Sequence, residues 1–286
     1  MKEKLIYGTM GLLAAVGLAV LFYPAVSRWY NDQYQIEAVA GYDDYIGNLS
    51  EQVIEQELEK AREYNRLLSD QTITDPFMPG GMTISEDYAV ILDSNNGIMG
   101  SILIPDINVS LPIYHGTGED VLKKGVGHME MTPFPIGGTG NHSVLTGHTA
   151  LPDARLFSDL NKLKEGQIFY ISIYQGTLAY QIDQISVITP DDTALLVPDA
   201  GQDYVTLITC TPYGVNSHRL LVRGTRIPYE EAGTVFEEEM KDSSTEVSVP
   251  YDLTIALVML GLVLSAFAVA LIRRIGKEKG GSGNRE

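Results

Sequence analysis

Two long apolar runs bracket this chain, and they constrain its fold more than any other feature. Residues 5–26 are almost wholly apolar, and residues 253–272 form a second such run. Each is close to the roughly 20 residues that a helix needs to cross a bilayer. Between them lie roughly 225 residues, enough to bury a sizeable core. Lys2 and Lys4 precede the first run, and Arg28 is the nearby cation after it. Arg273, Arg274, Lys277 and Lys279 follow the second run, whereas Asp242, Glu246 and Asp252 precede it. That bias predicts both termini in the cytoplasm and the intervening residues outside the cell. Ala25-Val26-Ser27 also matches a small-x-small processing site, which leaves a cleaved signal peptide as the alternative for the first run. The run is longer than a usual signal core, which favours an anchor.

The expected organisation follows. A cytoplasmic stub (1–4) leads into a transmembrane helix (5–27) and an extracellular helical segment (28–71). A loop region (72–98), a β domain (99–229) and an acidic stalk (230–252) come next. A second transmembrane helix (253–272) and a basic cytoplasmic tail (273–286) close the chain. In the helical segment Ile46, Leu49, Val53, Leu58 and Leu67 recur near every third or fourth position, predicting an amphipathic helix over 42–70. Two prolines and a glycine pair mark 72–81 as loop. Strands are predicted at 101–104, 109–114, 143–146, 167–172, 178–182 and 185–188, with a turn at Pro105-Asp106 and a short helix over 154–163. Several short strands with regular turn signals make the fold mainly β, a closed or nearly closed barrel with short helices. There is no internal repeat.

The net charge of −17 argues against a nucleic-acid partner. No histidine, cysteine or carboxylate spacing matches a zinc or calcium site, and no glycine-rich loop has phosphate-binding spacing. No cofactor and no metal are therefore expected. Cys210 is the single cysteine, so the chain forms no internal disulfide. A cysteine-poor outside domain suits a Gram-positive surface better than animal secretion.

Cys210 ends a β-branched strand, Thr206-Leu-Ile-Thr-Cys210, ahead of the turn residues Pro212-Tyr213-Gly214. A second strand, Arg219-Leu-Leu-Val-Arg223, returns at once, which can set Arg219 beside Cys210. A lone cysteine is commonly an inert core residue. At a strand end beside a cation it becomes a candidate nucleophile, because the thiolate is what attacks. A guanidinium offers a rigid fork of donors to a carbonyl or a developing oxyanion. Of the five histidines, His148 follows the strand Ser143-Val-Leu-Thr146 where a loop begins, the place to present a proton-transfer group. His142 lies at the other end of that strand. His218 precedes Arg219 and so faces the opposite side of its strand.

The segment Thr206-Leu-Ile-Thr-Cys-Thr-Pro-Tyr-Gly-Val-Asn-Ser-His-Arg-Leu-Leu-Val-Arg-Gly224 resembles the sortase family, and specifically the pilus-assembling class C sortases. Asn141-His-Ser-Val-Leu-Thr-Gly-His148 is similar to the strand that delivers the family's histidine. Ile104-Pro-Asp-Ile-Asn-Val-Ser-Leu-Pro-Ile-Tyr-His-Gly116 looks like its first strand pair. The resemblance implies an eight-stranded sortase-type β-barrel with Cys210 as nucleophile, His148 as proton donor and acceptor, and Arg219 as oxyanion stabiliser. It implies cleavage of an LPxTG-like sorting signal between Thr and Gly through a thioester, then transfer to a pilin lysine. Asp75-Pro76-Phe77 is similar to the class C lid, which would place Asp75 near Cys210 or Arg219 and Phe77 in an apolar substrate groove. The implied partners are LPxTG-bearing pilins at a cell membrane spanned twice, with the catalytic domain outside. A wall-anchoring sortase with a peptidoglycan amine acceptor, simple hydrolysis of the thioester, and a non-catalytic binding module are the alternatives.

Overall fold

The computed structural model describes residues 2–68, 73–77, 84–94, 96–174 and 176–229, together with Val258 and Gly261. The chain divides into two compact units, and the larger, Asn31–Glu246, carries every described strand. Helix α1 (Lys2–Gly47) runs unbroken through Pro24, and α2 (Glu51–Leu67) follows it. The single helix expected over 42–70 is thus two. Gly47 and Asn48 end the first, and the Ser50 hydroxyl accepts from Val53 N–H to start the second, a cap worth about 1 kcal/mol. The expected apolar face is met only in part: Ile46 is buried and Leu49 and Leu58 pack on the main core. Ile54 and Ala61 are buried, whereas Val53 and Leu67 are exposed.

Among the described residues no helix is long and apolar enough to cross a membrane. The first apolar run lies within α1, where several of its side chains are outside the described set. The second run, the acidic stalk and the basic tail lie outside the described residues, apart from Val258 and Gly261.

A four-residue helix, α3 (Glu86–Ala89), occupies part of the region expected to be loop. Its N-cap Ser85 is held by the buried carboxylate of Glu130, which accepts from the Ser85 hydroxyl at 2.6 Å. Then come β1 (Ile98–Ile104), β2 (Val109–His115), α4 (Glu119–Leu122), β3 (Val126–His128) and β4 (Asn141–Thr146). After them come β5 (Ile168–Ile173), β6 (Gly176–Ile188), β7 (Asp203–Thr211) and β8 (His218–Ile227). The two strands expected at 178–182 and 185–188 are one, bent by a bulge between Ile182 and Gln184. The helix expected over 154–163 is a turn with one 3-10 segment, Leu160–Lys162. Three-residue β3 sits inside a glycine-rich stretch and was too short to carry a period.

The sheet closes into a barrel in the order β1-β2-β3-β4-β7-β8-β6-β5. Closure leaves no unpaired edge for another chain to extend. The β2/β3 and β4/β7 pairs are parallel, and the other pairs antiparallel. Strands β4, β7 and β8 each show two apolar faces. Leu145, Val205, Leu207, Leu220 and Val222 point into the main core. Val144, Ile208 and Leu221 point the other way, into a second cluster with Met129 and Leu196. A strand buried on both faces reads as a continuous apolar run, as Leu220 to Val222 does.

Packing in the main core explains one glycine of the motif. Phe169 and Tyr180 stack at 5.6 Å between centroids, both fully buried. A side chain at Gly224 would start 2.6 Å from the Phe169 ring. Burying Phe169 contributes roughly 1.5–3 kcal/mol, which only a glycine at that position permits in full. The helices dock through polar clasps. Tyr42 on α1 donates to Met99 O at 2.9 Å and accepts from Tyr174 N–H at 2.8 Å. On α2, Asn65 exchanges two hydrogen bonds with the Phe134 backbone.

Candidate active site

Register alone assembles three of the sequence-predicted residues. Cys210 on β7 pairs directly with Arg219 on β8, so both side chains stand on the same face. On the other side, β4 runs parallel to β7 with Thr146 opposite Ile208. Gly147 N–H continues that ladder to Ile208 O at 3.1 Å, and the Thr209 hydroxyl donates to Gly147 O at 2.8 Å. Two residues beyond each member of the Thr146/Ile208 pair are His148 and Cys210. The order across the barrel end is therefore His148, Cys210, Arg219. The row stands on the outer face, just past the apolar strip of Val144, Ile208 and Leu221.

The loop carrying His148 is pinned as well. Phe157 N–H donates to His148 O at 3.1 Å. A Cβ on Gly147 would lie 2.6 Å from the Phe157 ring, so the chain enters His148 through a place that has no room for a side chain. The turn from β7 to β8 is closed by Val215 N–H on Pro212 O at 3.0 Å. Gly214 and Asn216 take positive φ there, at 74° and 59°. Those residue types tolerate that backbone best.

Residues 73–77 lie over this row. Asp75 grips Arg219 with both oxygens, Nε to Oδ1 at 2.7 Å and Nη2 to Oδ2 at 2.6 Å. Both side chains are less than a tenth exposed, 9% for Arg219 and 8% for Asp75. The Phe77 ring lies between the other two: 5.7 Å from the His148 ring and 5.1 Å from the Arg219 guanidinium carbon. Ile73 and Phe77 also pack on the apolar strip. Pro76 is buried. Of the two positions expected for Asp75, it takes the one on Arg219.

Cys210 is half-buried. Burial pushes its thiol above the ordinary value, the Arg219 charge pulls it down, and Asp75 pushes it up again. With the carboxylate in place the thiol form is favoured, and the guanidinium fork is already filled. Removing Asp75 would free the fork and take away one of the two influences that raise the thiol, burial being the larger.

The remaining histidines serve the fold. His142 is opposite Tyr204, six residues from the Cys210 end, or about 20 Å along the strand. It is buried, with Nε2 2.7 Å from the Thr206 hydroxyl, and burial lowers its pKa to about 4. His128 is wholly buried against Tyr88 and Phe134, and burial lowers it to about 3. His115 packs at the edge of the same cluster. His218 pairs with Thr211 and turns its ring toward Ser217, on the face away from Arg219. Among the described residues no cluster of histidine, cysteine and carboxylate could hold a metal.

One neighbour escaped sequence reasoning. Glu119, on α4, places Oε2 3.2 Å from His148 Nε2. It lies far upstream in an ordinary acidic surface segment, and nothing in the local sequence signals the contact. Burial works to raise its pKa, but hydrogen bonds from Lys123 and His148 outweigh that and hold it low.

Comparison with known proteins addresses the family and the fold. Residues 102–227 match the Sortase domain family. The crystal structure of sortase C-1 from Streptococcus pneumoniae is 44% identical, with a TM-score of 0.65, over 68% of this chain and 99% of that one. The chain belongs to the sortase family. A pilus-related sortase C of Group B Streptococcus is 44% identical, with a TM-score of 0.63, over 66% of this chain and 96% of its own. Sortase A of Streptococcus agalactiae serotype III (strain NEM316) is 28% identical over 207 residues, 70% of this chain and 76% of that protein. Sortases are cysteine transpeptidases, and this sortase is an enzyme of that kind, structurally akin to the class C group.

Proposed function

We propose that this sortase polymerises pilins. It cleaves an LPxTG-like sorting signal between Thr and Gly, holds the acyl fragment on Cys210 and passes it to a pilin lysine. The observation that carries this reading is the row His148, Cys210, Arg219 beside an apolar strip. The Cys210 sulfur attacks the Thr carbonyl carbon, its proton passing to His148. The Arg219 fork holds the oxyanion as it forms. The Thr–Gly C–N bond breaks as His148 returns the proton to the departing glycine amine. A neutral lysine amine then attacks the thioester, the C–S bond breaks, and the proton released from the amine returns to the thiolate. Water in place of lysine would give hydrolysis by the same steps.

Residues Asp75, Pro76 and Phe77 act as a lid in this reading. Asp75 fills the fork and Phe77 covers the strip on which the apolar part of a sorting signal would lie. A shut site keeps the thiol from idle reaction and oxidation. Likeness to class C enzymes supports a pilin acceptor over a wall amine, since one relative is described as pilus-related. The two apolar runs and their flanking cations support a membrane protein spanned twice, with the barrel outside the cell.

Mass spectrometry of the detergent-solubilised full chain with an LPxTG-type peptide and a lysine-bearing pilin domain tests the reading. Thioester on Cys210 and an isopeptide product are expected, and neither should form in Cys210→Ala. Thioester without lysine transfer would favour wall anchoring or hydrolysis. No adduct, even with the lid residues 73–77 removed, would sink the transpeptidase reading for this site.

A further inference from the structure

We propose that Glu119 is the positioning residue for His148: its carboxylate accepts a hydrogen bond from Nε2–H and leaves Nδ1 as the nitrogen that exchanges protons at Cys210. The inference rests on His148 being the proton carrier proposed above and adds a residue outside that set.

Three observations converge on it. First, His148 Nε2 and Glu119 Oε2 are 3.2 Å apart, and a carboxylate can only accept. The imidazole must therefore donate from Nε2, which fixes the tautomer of the neutral ring. Second, the carboxylate is itself oriented. Lys123, one turn on, takes the other oxygen, Oε1, at 3.2 Å, so the two oxygens are divided between two donors. Third, α4 is anchored beneath. Leu122 is buried, its Cδ2 packed 3.1 Å from where a Cβ on Gly127 would stand. Leu122 N–H also bonds Gly118 O at 2.9 Å. Glu119 thus stands on a fixed turn beside His148 while its own side chain remains in solvent.

The surrounding charges leave this pairing intact. On α4 itself are Asp120 and Lys123. Asp75 and Arg219 lie on the far side of Phe77 and satisfy each other. Cys210 is the next residue of the row, on β7. Among the described residues Glu119 is therefore the carboxylate in contact with the ring. It does for His148 what an orienting carboxylate does in other nucleophile–histidine sites. Its solvent exposure makes the effect smaller, since water screens the charge.

The test uses the full-length chain in detergent, labelled with nitrogen-15 histidine, in an Asp75→Ala background so that peptide can enter. Histidine nitrogen shifts report the His148 tautomer, and single-turnover thioester formation is followed across pH. The parent should show the Nε2–H tautomer. Glu119→Ala should mix in Nδ1–H and slow acylation about three- to tenfold with the peptide KM unchanged. Glu119→Asp should recover part of the rate. An unchanged tautomer in Glu119→Ala overturns the proposal, whether or not the rate falls. Should the parent form no thioester at all, the transpeptidase reading fails, and the tautomer measurement still decides the role of Glu119.

Discussion

Asp75→Ala should open the site, and the size of the effect can be worked from the contacts. The carboxylate makes two short charge-assisted bonds to Arg219, at 2.7 and 2.6 Å, with both partners nearly excluded from water. A hydrogen bond to a charged group nets about 1.5–3 kcal/mol, because water competes for both partners when the lid lifts. Phe77 keeps its place over the guanidinium at 5.1 Å, worth about 0.5–1 kcal/mol, so the lid is loosened rather than freed. We take the loss as about 2 kcal/mol, which raises the open fraction about 30-fold at 1.4 kcal/mol per decade. Cys210 is the single cysteine, so a chromogenic disulfide reagent reads this site alone. If the lid opens and closes faster than the reagent reacts, the labelling rate tracks the open fraction. Loss of the Asp75 charge also lowers the thiol pKa, which works in the same direction. A labelling rate within twofold of wild type, in a variant folded by circular dichroism, would refute the reasoning.

Arg219→Lys should label faster, because a point charge cannot hold both Asp75 oxygens, yet acylate about 100-fold more slowly for want of the fork; near-normal acylation would make Arg219 structural. His142→Ala should leave the Thr206 hydroxyl unpartnered in the interior and cost about 1–3 kcal/mol in a denaturant midpoint, with acylation retained. His148→Ala should do the reverse, and an inverted order would show that the two roles are assigned backwards. Burial holds His128 near 3 and His142 near 4, below the ordinary histidine value of about 6.5. The unfolded chain therefore binds more protons, so their effect is absent above about pH 6.5 and stability falls as pH drops from there toward those folded values. Urea midpoints between pH 7 and 4.5 should show that slope, and His142→Ala should flatten it. Gly147→Ala should push the His148 loop off the Phe157 ring and slow acylation more than it lowers the melting temperature; unchanged acylation would mean the loop gives way without cost.

Much of the site was legible because its parts are close in sequence. Cys210 and Arg219 sit on one strand–turn–strand, whose turn residues announce themselves, and hairpin register follows from turn length. His148 was legible as a strand-end residue, but its placement opposite Cys210 depends on the parallel β4/β7 pairing, a contact across 62 residues of chain. The split between α1 and α2 shows the limit of periodicity. Apolar spacing continued through residues 47–50, while a glycine, an asparagine and a capping serine ended the helix there. The break turned the stripe, so that Leu58 packs on the core beside Ile54 and Ala61 while Val53 and Leu67 are exposed.

By itself the sequence determined that the middle of the chain is a mainly β domain between two apolar runs. It also singled out a candidate thiol and guanidinium, because turn residues and the short cysteine–arginine segment are local properties, whereas the preference for His148 over the other histidines leaned on the family resemblance. Tertiary structure alone decided that Asp75 closes on Arg219 rather than on Cys210, that Phe77 enters between His148 and Arg219, and that Glu119 reaches His148. Each joins segments far apart in the chain. Their distances are fixed only when closure of the barrel sets every register at once, and no local pattern of residues carries that information.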